Sequence, residues 1–153
     1  MPLGSWSPDS TQMAFTSGTK VKKLDVATGA VQALCDSLAG PAFTGWSRRG
    51  VIVYGGFGGL WDVSASGGAP VQLTTIDKNR EEAFHAFSDL LPDGRHFLYL
   101  AYSRQRANSG IFLGSIDSPP AANRKFILSS HSGPSMPRDR GVPGTYCSSA
   151  KGL

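Results

Sequence analysis

The sequence predicts an all-β fold: a partial β-propeller of about three four-stranded antiparallel blades, arranged as an open ring. Three observations carry this reading. "SWSPDS" at 5–10 returns within "LLPDGRHFLYL" at 90–100, so Pro8-Asp9 recurs as Pro92-Asp93 after 84 residues. Trp46 stands 40 residues after Trp6, near the midpoint, which gives a period close to 42 and three copies. The runs between these markers are short, β-branched or aromatic, and bounded by Gly, Pro, Asp and Ser. Four short strands in about 42 residues is the pattern of one propeller blade.

In chain order, unit one predicts strands near 3–6, 12–16, 20–26 and 31–34. Unit two predicts 43–46, 51–55, 59–63 and 70–74. Unit three predicts 84–90, 96–101, 110–116 and 124–128. The second halves repeat as well: "KVKKLDVATGAVQAL" at 20–34 matches "GGLWDVSASGGAPVQL" at 59–73. The third copy, "GIFLGSIDSPPAANRKFIL" at 110–128, has a longer Pro-rich turn before its closing strand. The implied division is 1–128 for three blades (about 1–40, 41–80 and 81–128), followed by an irregular tail at 129–153. "DKNREEAFHAF" at 77–87 comes nearest to a helical pattern, but a charged surface loop leading into a strand fits the repeat better.

The repeat markers are Trp6, Pro8, Asp9, Trp46, Gly50, Pro92, Asp93 and Gly94. Proline fixes φ near −65° and suits the second position of a tight turn. Asp9 and Asp93 are placed to accept hydrogen bonds from backbone N–H groups just ahead. Gly94 accepts positive φ at the turn's exit, where Ser10 carries more strain. In unit two, Arg48-Arg49-Gly50 replaces Pro-Asp-Ser, and the turn is expected to survive through Gly50 alone. Trp6 is expected to enter the layer between neighbouring blades. An aspartate that recurs at the same turn of two units reads as a turn former rather than a catalytic carboxylate.

The stretches "WSPDSTQMAF", "DVATGAVQAL" and "LLPDGRHFLYL" resemble the units of TolB-like, WD-repeat-like β-propellers. "NSGIFLGSIDS" in unit three is similar to propellers that follow the kinase domain in some bacterial serine/threonine protein kinases. The resemblance covers roughly residues 3–128. It implies a non-catalytic scaffold or sensor module that binds a protein or small ligand. Related propellers attached to peptidases imply the alternative of a segment that gates substrate, and a decayed gene fragment is the third reading. An extracytoplasmic position in a membrane-anchored parent is also implied.

Composition narrows the remaining classes. The net charge is +4, but residues 1–120 hold ten Lys/Arg and ten Asp/Glu, so the whole excess lies in the last 33 residues. A balanced body is a poor phosphate-binding surface, and no nucleic-acid partner is expected. No apolar run approaches the roughly 18 residues of a membrane helix. Cys35 and Cys147 are read as unpaired thiols. There is no P-loop and no kinase motif set, and no nucleophile elbow either. "GGFGGL" at 55–60 reads as a hairpin between two strands. His85 is expected to be hydrogen-bonded and partly buried, and His96 to lie at the surface. His131 joins no metal-ligand spacing. No cofactor and no catalytic or metal residue is therefore expected.

Three blades fall short of the 4–8 of a closed ring, so further blades from the parent chain or another copy are needed. The tail "SSHSGPSMPRDRGVPGTYCSSAKGL" stands where a fourth blade would begin. Read one frame over, the products that degenerate codons for "PGTYCSSAKG" allow include Gly-Tyr-Leu-Leu-Phe-Val-Arg-Glu-Gly, an alternating strand. The expectation is a frameshifted, disordered tail.

Overall fold

The computed structural model describes residues 4–36 and 44–129. They form three four-stranded antiparallel sheets with strands in sequence order. Blade one holds β1 (Ser5–Trp6), β2 (Gln12–Ser17), β3 (Lys20–Asp25) and β4 (Val31–Asp36). Blade two holds β5 (Thr44–Trp46), β6 (Val51–Gly56), β7 (Gly59–Ser64) and β8 (Val71–Gln72). Blade three holds β9 (Glu82–Leu90), β10 (His96–Ser103), β11 (Gly110–Ser115) and β12 (Lys125–Ser129). The only helical elements among the described residues are three-residue 3-10 turns. The tail, with Cys147 and His131, lies outside the described residues.

Most strand boundaries fall within two residues of the sequence reading. β8 is shorter than expected, for a definable reason. The amides of Leu73 and Thr74 both donate to Leu60 O, at 2.8 and 3.3 Å, so the regular ladder ends there. Thr74 Oγ1 accepts from Leu60 N–H at 2.8 Å and fills the gap. "GGFGGL" is a hairpin, with Gly56 paired to Gly59. Gly59 has φ +146°, and a Cβ there would lie 2.0 Å from the Thr74 carbonyl oxygen, so only glycine fits.

The core lies in two layers, one on each side of blade two. Ala14, Val21 and Leu34 of blade one meet Ile52, Tyr54 and Val63 of blade two. Val53, Leu60 and Leu73 of blade two meet Phe97, Tyr99, Ala101 and Phe112 of blade three. Strand alternation produces this division. Ile52, Val53 and Tyr54 are consecutive and at most 2% exposed, yet they serve opposite layers. A strand buried on both faces loses the apolar-polar alternation of a half-exposed one.

The blades share one orientation. The second residue of the second strand is Met13, Ile52 or Phe97. Ile52 packs toward blade one and Phe97 toward blade two. The next residue is Ala14, Val53 or Leu98. Ala14 packs toward blade two and Val53 toward blade three. Each blade therefore has a face for its predecessor and a face for its successor.

Trp6 departs from expectation. Its register partner is Met13, as Trp46 pairs with Ile52. Trp46 packs against the layer between blades one and two. Trp6 takes the equivalent position but is 55% exposed, because no preceding blade covers it among the described residues.

Candidate functional site

The first turn of each blade links its first two strands, and the three turns share one construction. The amides of Ser10, Gly50 and Gly94 donate to the carbonyls of Ser7, Ser47 and Leu91, at 2.8, 3.0 and 2.9 Å. Each donor residue has positive φ, at +59°, +72° and +66°. Pro8 and Pro92 stand just after the accepting residue, where their fixed φ suits the turn.

The aspartates hold the turn from within. Asp9 Oδ1 accepts from Ser7 Oγ at 2.6 Å, Thr11 Oγ1 at 2.8 Å and Thr11 N at 3.1 Å. Asp93 Oδ1 accepts from the amides of Arg95 and His96, both at 2.9 Å. Asp93 Oδ2 lies 2.6 Å from His96 Nδ1. The Ser7 hydroxyl, with Thr11, holds the Asp9 carboxyl below the usual carboxylate range. The His96 ring and amide do the same for Asp93. Carboxylates fixed in this way are turn anchors and poor proton carriers near neutral pH.

The second turn does not rest on Gly50 alone. Ser47 Oγ accepts from Arg49 N at 3.1 Å and donates to the carbonyl of Gly94. That bond ties the second turn to the third, 47 residues on. Arg49 Nη1 meets Asp117 Oδ2 at 3.0 Å, and Arg95 Nε meets the same oxygen at 2.7 Å. The arginine that replaced the turn aspartate thus joins an Arg-Asp-Arg bridge between blades two and three.

The three turns surround a cleft of about 350 Å³. Its walls include Trp6, Pro8, Trp46, Pro92 and Gly94, together with Arg48 and Asp89. Five of the eight repeat markers therefore share one cavity. Asp9 and Gly50 line an adjoining cleft of about 330 Å³ between the first two turns. Asp93 lines neither. Aromatic walls with a few charged groups are the usual make-up of a recognition cleft. Nothing in the local sequence pointed to Arg48 or Asp89, because convergence of three turns is a property of the blade arrangement.

A second polar cluster lies at the junction of blades two and three. Glu82 was expected on a charged surface loop, but its side chain is fully buried. Asp77 caps the short turn at 78–80, Glu81 takes φ +53°, and the chain reverses so that Glu82 points inward. Its carboxylate accepts from Arg124 Nη1 at 3.0 Å, from Arg124 Nη2, and from Asp77 N at 2.8 Å. His85 Nε2 lies 3.0 Å from it. Burial alone raises the Glu82 pKa, but the Arg124 guanidinium and the other donors outweigh it and hold the group at about 2.

An ionised Glu82 can only accept, so His85 Nε2 carries the proton. His85 Nδ1 then accepts from Thr74 Oγ1 at 2.8 Å, and Thr74 accepts in turn from Leu60 N–H. Burial pushes the His85 pKa down, in keeping with a neutral ring. His85 is thus hydrogen-bonded as expected, and buried more fully than expected at 5% exposure. Arg124 also lies 4.5 Å over the Phe112 ring. The cluster clamps the start of β9 to the residues after β8 and to the residue before β12. Glu82, His85 and Thr74 all bond to protein groups, which is the behaviour of a structural staple, while Arg80 Nε, 3.8 Å from Glu82 Oε1, is buried without a hydrogen bond.

Among the described residues, no group of His, Cys, Asp and Glu is arranged to hold a metal ion. No helix is long and apolar enough to cross a membrane. Cys35 is a free, half-buried thiol 3.6 Å from Tyr54 Oη, and burial pushes its pKa up.

No family model matches the chain, and no curated protein does. Solved structures do. A protein assigned as TolB from Agrobacterium tumefaciens superposes with a TM-score of 0.60 at 21% identity, covering 76% of this chain and 43% of that one. TolB from Acinetobacter baumannii superposes with a TM-score of 0.59 at 16% identity, covering 76% of this chain and 30% of that one. The chain spans less than half the length of either structure. At this identity the likeness is one of fold. By fold, the described residues are three blades of a TolB-like β-propeller.

Proposed function

We propose that the chain is a non-catalytic binding module, in which the cleft between the three first turns receives a protein segment or small ligand. The observation that carries this reading is the convergence of Trp6, Trp46, Arg48 and Asp89 on that one cleft. Indole walls offer large apolar area, and the two charges offer orientation. The turn aspartates are committed to amides, hydroxyls and a histidine ring within their own turns, which leaves the cleft suited to recognition rather than proton transfer. In its parent, the module is assigned to the sensor region of a bacterial serine/threonine protein kinase. That finer reading is supported by "NSGIFLGSIDS" and its resemblance to kinase-attached propellers.

The test is selection of binders from a random peptide library, followed by titration against Arg48→Ala and Asp89→Ala. Peptides that bind the unaltered chain should lose at least about tenfold in affinity on one of these variants, the effect of about 1.4 kcal/mol. Peptides indifferent to both place binding elsewhere and overturn the assignment.

A further inference from the structure

Two charged residues of the cleft stand where the other blades hold no charge. The residue after the turn's accepting carbonyl is Pro8 in blade one, Arg48 in blade two and Pro92 in blade three. The residue in register with Ala14, Val53 or Leu98 is Ser5, Gly45 or Asp89. All six line the same cleft. The repeat builds both positions from uncharged residues, so the blade fold does not require Arg48 or Asp89. Neither belongs to a core layer. Among the described residues, neither joins an ion pair, with the other or with a third group. Arg49, by contrast, is paired with Asp117. A departure from the repeat that the fold does not use is where function is to be sought.

The two charges are also held in place. Turn three packs on the base of Arg48: a Cβ on Gly94 would lie 3.5 Å from Arg48 Cβ, and Ser47 Oγ bonds the Gly94 carbonyl. The guanidinium is therefore carried on a fixed stem. Asp89 Oδ1 accepts from the Leu90 amide at 2.8 Å, which orients the carboxylate. Trp46, two residues before Arg48, adds an apolar wall.

We propose that the occupant of this cleft is a peptide segment with an acidic side chain for Arg48, a basic side chain for Asp89 and an apolar side chain for Trp46. This rests on the reading of the cleft as the binding surface and adds the chemistry of its ligand. A guanidinium fork matches a carboxylate in two-point geometry. Opposite charges fixed on two blades admit the segment in one direction only, so they set orientation as well as affinity.

Peptides selected from a random library on the 153-residue chain, and mapped to residues 45–48 and 89–94 by amide shifts, test this. They should carry one acidic and one basic residue in a constant order. Arg48→Glu and Asp89→Lys should each weaken them at least about tenfold, and more at low salt than at high. The double variant should bind the same peptide with its two charges exchanged, to within about threefold of the original affinity. Unchanged circular dichroism and cooperative melting would verify that each variant folds. Cleft-mapped peptides without the charge pair, or no recovery on exchange, would overturn the ligand assignment and leave the cleft reading standing. Peptides that leave residues 45–48 and 89–94 unmoved, or the recovery of no binding peptide, would overturn both.

Discussion

Glu82 and Arg124 are joined by a two-point ion pair inside blade three, across 42 residues of sequence. The carboxylate is fully buried and the guanidinium side chain is 23% exposed. Removing one partner of such a pair leaves a charge without compensation, which costs more than the pair contributes. Arg124→Met should lower unfolding free energy by about 3 kcal/mol. Adding Glu82→Gln to it should recover part of the loss. Urea denaturation of both variants checks this, and equal losses would refute the unpaired-charge account.

The same cluster sets an acid limb. His85 has its folded pKa depressed below 6.5, because burial disfavours its charged form. Below pH 6.5 the unfolded chain therefore binds a proton that the folded chain refuses, and stability falls with pH. Glu82 is depressed from 4.5 to about 2. Its contribution is complete above about 4.5 and lost as pH falls toward 2. Urea midpoints measured from pH 7 downward should decline, and His85→Gln should flatten the upper part of that decline.

Asp62 acts with the opposite sign. It sits in register between Val53 and Val71, and burial raises its pKa from 3.8 to about 6. The folded state favours its protonated form, so its contribution worsens as pH rises from 3.8 through 6 and stays unfavourable above. Asp62→Asn should raise the melting temperature by several degrees at pH 8 and leave it nearly unchanged at pH 4. A thermal scan at the two values decides the matter.

Backbone strain gives a paired prediction. Ser10 holds φ +59° with a side chain present, at a position where the other two blades use Gly50 and Gly94. Left-handed backbone costs a non-glycine residue roughly 1–2 kcal/mol. Ser10→Gly should stabilise by up to about 1 kcal/mol after the added unfolded-state entropy. Gly59→Ala should do the reverse, costing about 3 kcal/mol or more, since its Cβ would strike the Thr74 carbonyl. Chemical denaturation of the two variants measures both.

The strands were legible because turn chemistry and short apolar runs are local signals. Pro8-Asp9 and Pro92-Asp93 announce hairpins without any knowledge of the rest of the fold. The offset between units was legible only in part. Trp6 and Trp46 are 40 residues apart, but the second turn is one residue shorter: Ser47 N bonds Val51 O, where Ser7 N bonds Gln12 O. The equivalence past the turn is therefore Met13 with Ile52, a one-residue slip that decides which face each side chain takes. The Glu82–Arg124 pair was not legible. Nothing near Glu82 distinguishes it from Glu81, and its inward turn depends on a partner 42 residues away. The Ser47–Gly94 bond and the cleft escaped for the same reason: each is created by blade packing, not by local sequence.

The central claim is that the cleft between the first turns is the binding surface. Backbone amide shifts followed by NMR during titration with a library-selected peptide test it most directly. The account predicts the largest changes at residues 45–48 and 89–94, with blade edges unmoved. Changes centred on the outer strands β4, β8 or β12, with the turns silent, would contradict it.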